Sequence, residues 1–205
     1  MPRFSSCSCR ISFRAGEPMC SRISDEHFIY LSATGAYWGQ WLYQFSHEYC
    51  HHLVNGELTG EILGLKWLEE VLCHTSSLYH FRVLLDQWSN SSDHIQNLNA
   101  PVLRDHPDAR ISSRSPLSHS LDHPGWLADH LISLSEPRYE RELYAAIAEK
   151  ILPLFLQNPR LWKIILHIGD SRQWDSLQEL FDHFLEKADP DYIHSLRKLY
   201  DLFFL

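Results

Sequence analysis

Two histidines four residues apart, with a glutamate beside the first, stand out in this chain as His47-Glu48-Tyr49-Cys50-His51. On a helix, positions i and i+4 share one face, so both imidazoles can reach a single ion. Zinc takes nitrogen ligands at about 2.0–2.1 Å in a tetrahedral arrangement, and a catalytic site keeps one position for water. Glu48 falls about 100° round the helix from His47. That places it beside such an ion rather than on it, where it can take a proton from bound water. Glu70 follows His51 after eighteen intervening residues, inside Trp67-Leu68-Glu69-Glu70. On a helical wheel it lies away from the apolar stripe of its own segment and shares a face with His74 and Ser77. His47 and His51 are therefore the expected ligands of one Zn2+ ion, with Glu48 beside them as candidate general base and Glu70 as a candidate third ligand.

Neighbouring residues compete for roles. Glu69 is the obvious substitute for Glu70. His74, one turn beyond, is an alternative ligand or a group that orients one. Tyr43 lies on the face of His47 and could steady a ligand or donate to a developing oxyanion. His52 points toward the apolar side and reads as a core histidine; Cys50 and Cys73 read as packing. His119, His123 and His130 look like a second cluster, which loop composition explains adequately.

The stretch from about residue 26 to residue 85 resembles the active site of gluzincin-type zinc metallopeptidases, in which two helices supply HExxH and a downstream glutamate. Aminopeptidases of that class share the x18 spacing and carry the third ligand on a Trp-Leu-x-Glu segment. The resemblance implies a minimal zincin-like core, the same ligand and base assignments, and a strand along the cleft that can pair with an extended peptide. Two features depart from it: no Gly-x-Met-x-Asn exopeptidase segment precedes the motif, and His74 stands where many gluzincins place an acid.

Those residues need elements to hold them. His27–Ala33 (HFIYLSA) is rich in β-branched and aromatic residues and reads as a strand, at the edge of a small sheet, closed by Thr34-Gly35. Residues 36–54 read as a helix with Trp38, Trp41, Leu42, Phe45, Tyr49 and Leu53 opposite His47, stopped by Asn55-Gly56. A second helix is expected from near Glu61 or Leu65 through Phe81, striped by Leu65, Leu68, Leu72, Tyr79 and Val83; Glu57 and Glu61 fall in the connection.

The expected organisation is α+β: a flexible leader over 1–22, the metal-binding core over 23–88, a loop-rich insert over 89–124, and a helical region over 125–205 packing on the core. With 205 residues, 44% of them apolar, the chain can build one good core. A net charge of -8 argues against a nucleic-acid footprint. No apolar run approaches a membrane span. Five cysteines without framework spacing suit a reducing, cytoplasmic setting. The expected function is a zinc-dependent hydrolase acting on a peptide or protein. A non-catalytic zinc-binding scaffold is the alternative, and a non-peptide amide hydrolase would use the same chemistry.

Overall fold

The computed structural model describes residues 8–23, 26–33, 35, 37–55, 65–105, 120–135, 140–170, 174 and 176–205. Residues 1–7 of the expected leader, Gly56, Glu57, Glu61 and His119 lie outside them. The architecture is α+β, a small mixed sheet beside a larger helical body. Strands β1 (Ser8–Phe13), β2 (Met19–Ile23) and β3 (Glu26–Leu31) form the sheet in the order β1-β3-β2. β1 runs parallel to β3, with Ile11 opposite Ile29, and β2 runs antiparallel to it, with Cys20 opposite Ile29.

Two expectations are corrected here. HFIYLSA supplies the central strand, not an edge. Its alternation explains why: His27, Ile29 and Leu31 are buried while the residues between them are partly exposed, so it has a well-defined inner face to present to a helix. The second correction is to the leader, since residues 8–23 pair on both sides of β3 instead of remaining flexible. Between them Gly16, at φ +110°, adopts a conformation that side chains resist, and Pro18 follows.

α1 (Trp38–Asn55) carries the two histidines and packs on the inner face of the sheet. α2 (Lys66–Ser89) has neither Gly nor Pro and runs through the centre of the molecule. From Trp67 to Leu78 every residue except Glu70 is buried. A helix enclosed on nearly all sides needs several partners, and it has them in α1, in α3 (His94–Asp105) and in α5 (Arg141–Gln157). The expected loop over 89–124 thus contains a helix. Asp93 starts it, its Oδ1 accepting from the backbone N–H groups of Ile95 at 2.8 Å and Gln96 at 3.3 Å, an N-cap that a Ser/Asn/Asp-rich composition disguises as a loop. Ala100 and Leu103 bury its inner side. Residues 106–119 lie outside the described set.

The remaining body is helical, as expected. α4 (Trp126–Ser135), a 3-10 helix (Pro159–Asp170), α6 (Leu177–Lys187) and α7 (Pro190–Phe204) complete a core that includes Ile147, Ile151, Phe155, Leu161, Phe181, Phe184 and Leu196. Ser176 caps α6 by accepting from Glu179 N at 3.1 Å, and Pro190 opens α7 where no N–H is needed.

Gln44 sets the join between sheet and α1. Its Oε1 accepts from Ser32 N and Ala33 N, both at 3.0 Å, and its Nε2 donates to Ser32 Oγ at 2.9 Å. The residue is buried, so its removal strands two backbone donors. Gln44→Ala is expected to lower the unfolding free energy by about 1–3 kcal/mol, measured by urea denaturation. A loss below about 0.5 kcal/mol, the scatter of surface substitutions, would show that the clamp is dispensable.

Candidate metal centre

The face that α1 buries mixes polar residues with Tyr43, Cys50 and Val54. Gln44, Ser46 and Glu48 are buried, whereas Trp41 and Tyr49, expected on the inner stripe, are 37% and 39% exposed. Trp41 instead meets Phe13 of β1, ring centroids 4.9 Å apart. The reason lies across the seam. α2 turns a polar face back toward α1, and the two are stitched by side chains. Ser76 Oγ donates to Ser46 O at 3.0 Å and Ser77 Oγ to Tyr43 O at 2.9 Å. His51 pairs with Glu69, residue 47 with residue 70, and residue 43 with residues 74 and 77, so the helices run antiparallel.

Within this seam the structure brings His47, His51 and Glu70 together. The two Nε2 atoms are 3.3 Å apart. Glu70 Oε2 is 3.4 Å from His47 Nε2, and Glu70 Oε1 is 3.5 Å from His51 Nε2. Donors about 2.0–2.1 Å from a tetrahedral ion stand roughly 3.3–3.4 Å from one another. The triangle has those dimensions, and the donor set suits zinc.

The adjacent glutamates divide the work. Glu69 Oε1 lies 2.7 Å from His51 Nδ1, so its carboxylate accepts the N–H there, and an ion that displaced the Nε2 proton would find that lone pair facing the triangle. Glu69 is thus not a substitute ligand but the group that orients one. His47 has no equivalent support: its Nδ1 is buried with no hydrogen-bond partner among the described residues. His74 sits beside it edge-on, ring centroids 5.0 Å apart, with its own Nδ1 hydrogen-bonded to Tyr43 OH at 2.7 Å. His74 and Tyr43 therefore form a buried layer behind His47, Tyr43 also packing on Phe81.

Another donor is near. Cys73 Sγ lies within 4.8 Å of the two imidazole nitrogens. Glu70 is the better third ligand, because its oxygens stand at ligand spacing and it is anionic. Cys73 is fully buried, its thiol is pushed well above the ordinary value by burial, and it hydrogen-bonds Cys50.

Glu48 is 4% exposed. Burial raises its pKa, partly offset by the charges of His47 and His51 and by a hydrogen bond from the Cys20 backbone N–H. Burial also pushes the Cys20 thiol up to about 12, helped by the charge of Glu48. β2 thus reaches the site, although Met19-Cys20-Ser21-Arg22-Ile23 shows no alternation and the Gly-Glu-Pro turn before it was the one available signal. α5 closes the other side: the charge of Glu70 is felt by Tyr144, and that of Arg141 by His74. Burial, with the charge of His47, drives the His74 pKa down to about 3, so that ring is neutral. Burial also raises the carboxyl of Glu70, but the hydrogen bond to His47 and the His51 charge outweigh it and hold its pKa below the ordinary value.

The other histidines do not join the centre. His52 pairs with His27, Nδ1 to Nδ1 at 2.7 Å, under the sheet. His123 pairs with Asp129 at 2.8 Å and His130 with Ser120 at 3.3 Å, while His119 lies outside the described residues.

Burial disfavours the His51 imidazolium, but the Glu69 hydrogen bond and the carboxylates of Glu69, Glu70 and Glu48 outweigh it and lift the pKa from 6.5 to about 9. In metal-free protein this contribution is complete below 6.5 and disappears as pH rises through about 9. Its size is on the order of 3 kcal/mol at most, at 1.36 kcal/mol per unit. Chelator-treated protein should therefore lose stability to urea across that window, and Glu69→Gln should flatten the slope. An unchanged slope in the variant would refute the His51–Glu69 coupling.

Comparison of the chain with protein-family models, with curated proteins and with solved structures returned no match.

Proposed function

We propose that the chain is a zinc-dependent hydrolase that cleaves a peptide or related amide bond. The observation behind this reading is the triangle of His47 Nε2, His51 Nε2 and the Glu70 carboxylate, with a buried glutamate beside it that is not one of its donors. Bound there, zinc would polarise the scissile carbonyl and acidify a water. The chain's residues supply the rest. Glu69 keeps the His51 tautomer whose Nε2 faces the ligand position. Glu48 takes the proton of the attacking water and returns it to the leaving amine, and its raised pKa brings its basicity closer to neutral pH, where that exchange is fastest. β2, an edge strand whose Cys20 backbone touches Glu48, takes the place along the cleft first expected of HFIYLSA. Its free side could pair with an extended substrate. The thiols of Cys20, Cys50 and Cys73, none of them in a disulfide, suit a reducing compartment such as the cytoplasm. No helix among the described residues is long and apolar enough to cross a membrane.

The second reading, a non-catalytic zinc scaffold, has one observation in its favour. If Cys73 Sγ completed the coordination of His47, His51 and Glu70, the site would be closed, as structural zinc sites are.

Zinc analysis of variants separates the ligand sets. Glu70→Gln should lose the metal, and Cys73→Ala should keep about one zinc per chain. Retention by Glu70→Gln with loss by Cys73→Ala would overturn the assignment. For the chemistry, Glu48→Gln should retain zinc and thermal stability while hydrolysis falls by about 10²–10⁴-fold. Cleavage of a mixed peptide library followed by mass spectrometry measures this. Zinc-dependent cleavage that survives the substitution would refute Glu48 as base.

A further inference from the structure

We propose that His167, Asp170 and His183 form a second site for a divalent first-row transition ion, distinct from the His47/His51/Glu70 centre, that pins the 3-10 helix to α6. The helix type brings the first two together. A 3-10 helix has about three residues per turn, so side chains at i and i+3 eclipse. His167 and Asp170 stand at that spacing in the last turn of Pro159–Asp170. His183, in the middle of α6, reaches the same carboxylate from the neighbouring helix. His167 Nδ1 and His183 Nε2 each lie 2.8 Å from Asp170 Oδ2. All three donor atoms fall within 4.8 Å of one another.

This is a built arrangement. The Trp174 ring packs on His183, centroids 5.0 Å apart, and Trp174 Nε1 donates to Ile168 O at 2.9 Å, tying the imidazole to the buried end of the 3-10 helix. Lys163, the nearby cation, is held by Asp189 at 2.6 Å and leaves the carboxylate to the histidines. Burial opposes ionisation of Asp170, but the hydrogen bonds from His183 and His167 outweigh it and keep its pKa below the usual value. The side chains are partly open, His167 at 26%, His183 at 18% and Asp170 at 40% exposure. An ion can therefore enter from solvent and keep water in its remaining positions. Ligand atoms around such an ion stand roughly 3.0–3.4 Å apart, so each imidazole need draw back from the carboxylate oxygen by only a few tenths of an ångström. Two imidazoles and one carboxylate select Zn2+, Co2+, Ni2+ or Cu2+ over Ca2+ and Mg2+, which prefer oxygen.

The proposal is independent of the hydrolase reading, and the test keeps the two apart. Metal-stripped full-length protein without a polyhistidine tag is titrated with Co2+, read by its visible d–d absorption and by bound metal after equilibrium dialysis. In a His47→Ala background one Co2+ per chain should remain, and adding Asp170→Asn or His183→Gln should abolish it. Should His47→Ala fail to fold, Asp170→Asn alone in the wild-type chain should remove one bound ion and leave the others. If the His47→Ala protein folds and binds no Co2+, the site does not exist. Co2+ binding unchanged by Asp170→Asn together with His183→Gln would overturn it equally, whatever the outcome at the first centre.

Discussion

Between α1 and α2 the chain buries charge, and the surrounding elements are arranged to make that tolerable. Glu48 and Glu69 are each at most 7% exposed, and an unpaired ion in such surroundings is strongly disfavoured. The seam answers with pairs: Glu69 to His51, Glu70 to both imidazoles, Tyr43 to His74, and serine hydroxyls to the backbone carbonyls of α1. Geometry of this kind tolerates little sliding, because a one-residue shift of either helix would break every pair at once. It follows that α2 must be held from behind, which α3 and α5 do, and that α1 must be fixed to the sheet, which Gln44 does.

Adjacent acids at 69 and 70 show how one helix serves two functions. Successive residues differ by about 100° around the axis, so one carboxylate meets His51 at Nδ1 while the next meets its Nε2. The first fixes a tautomer and the second completes a donor triangle. On the other side of that triangle no carboxylate among the described residues meets His47 at Nδ1. The residue that could have supplied one is His74, and its neutral ring leaves His47 Nδ1 without a partner among the described residues. An asymmetric site results, with one imidazole anchored by charge and the other by packing.

Much of the candidate centre was readable from the sequence because its spacing is local. The i, i+4 histidines need only a helix, and Glu70 needs only a second helix beside the first. What escaped was set by tertiary context. The wheel of α1 gathered its large apolar side chains on one side, yet could not say which side would be most deeply buried; the polar face of α2 drew Gln44, Ser46 and Glu48 inward and left Trp41 and Tyr49 exposed. β1 and β2 were hidden because short strands with Ser, Cys and Arg carry weak signals and become strands by pairing with β3. α3 was hidden by its composition, although Asp93 marked its start. The roles of Glu69 and Glu70 were separable only by seeing which nitrogen each one meets.

Cys20 lies against the glutamate assigned as base, and its thiol is pushed up to about 12. At neutral pH the reactive thiolate fraction is then on the order of one in 10⁵. Oxidants and electrophiles act on thiolates, so this sulfur is passivated by its burial first and by the charge of Glu48 second. Cys73, buried behind the same acids, is passivated in the same way. Burial among acidic groups thus has a protective side: it lets sulfur be used as packing beside the histidine cluster without making that cluster a target for oxidation.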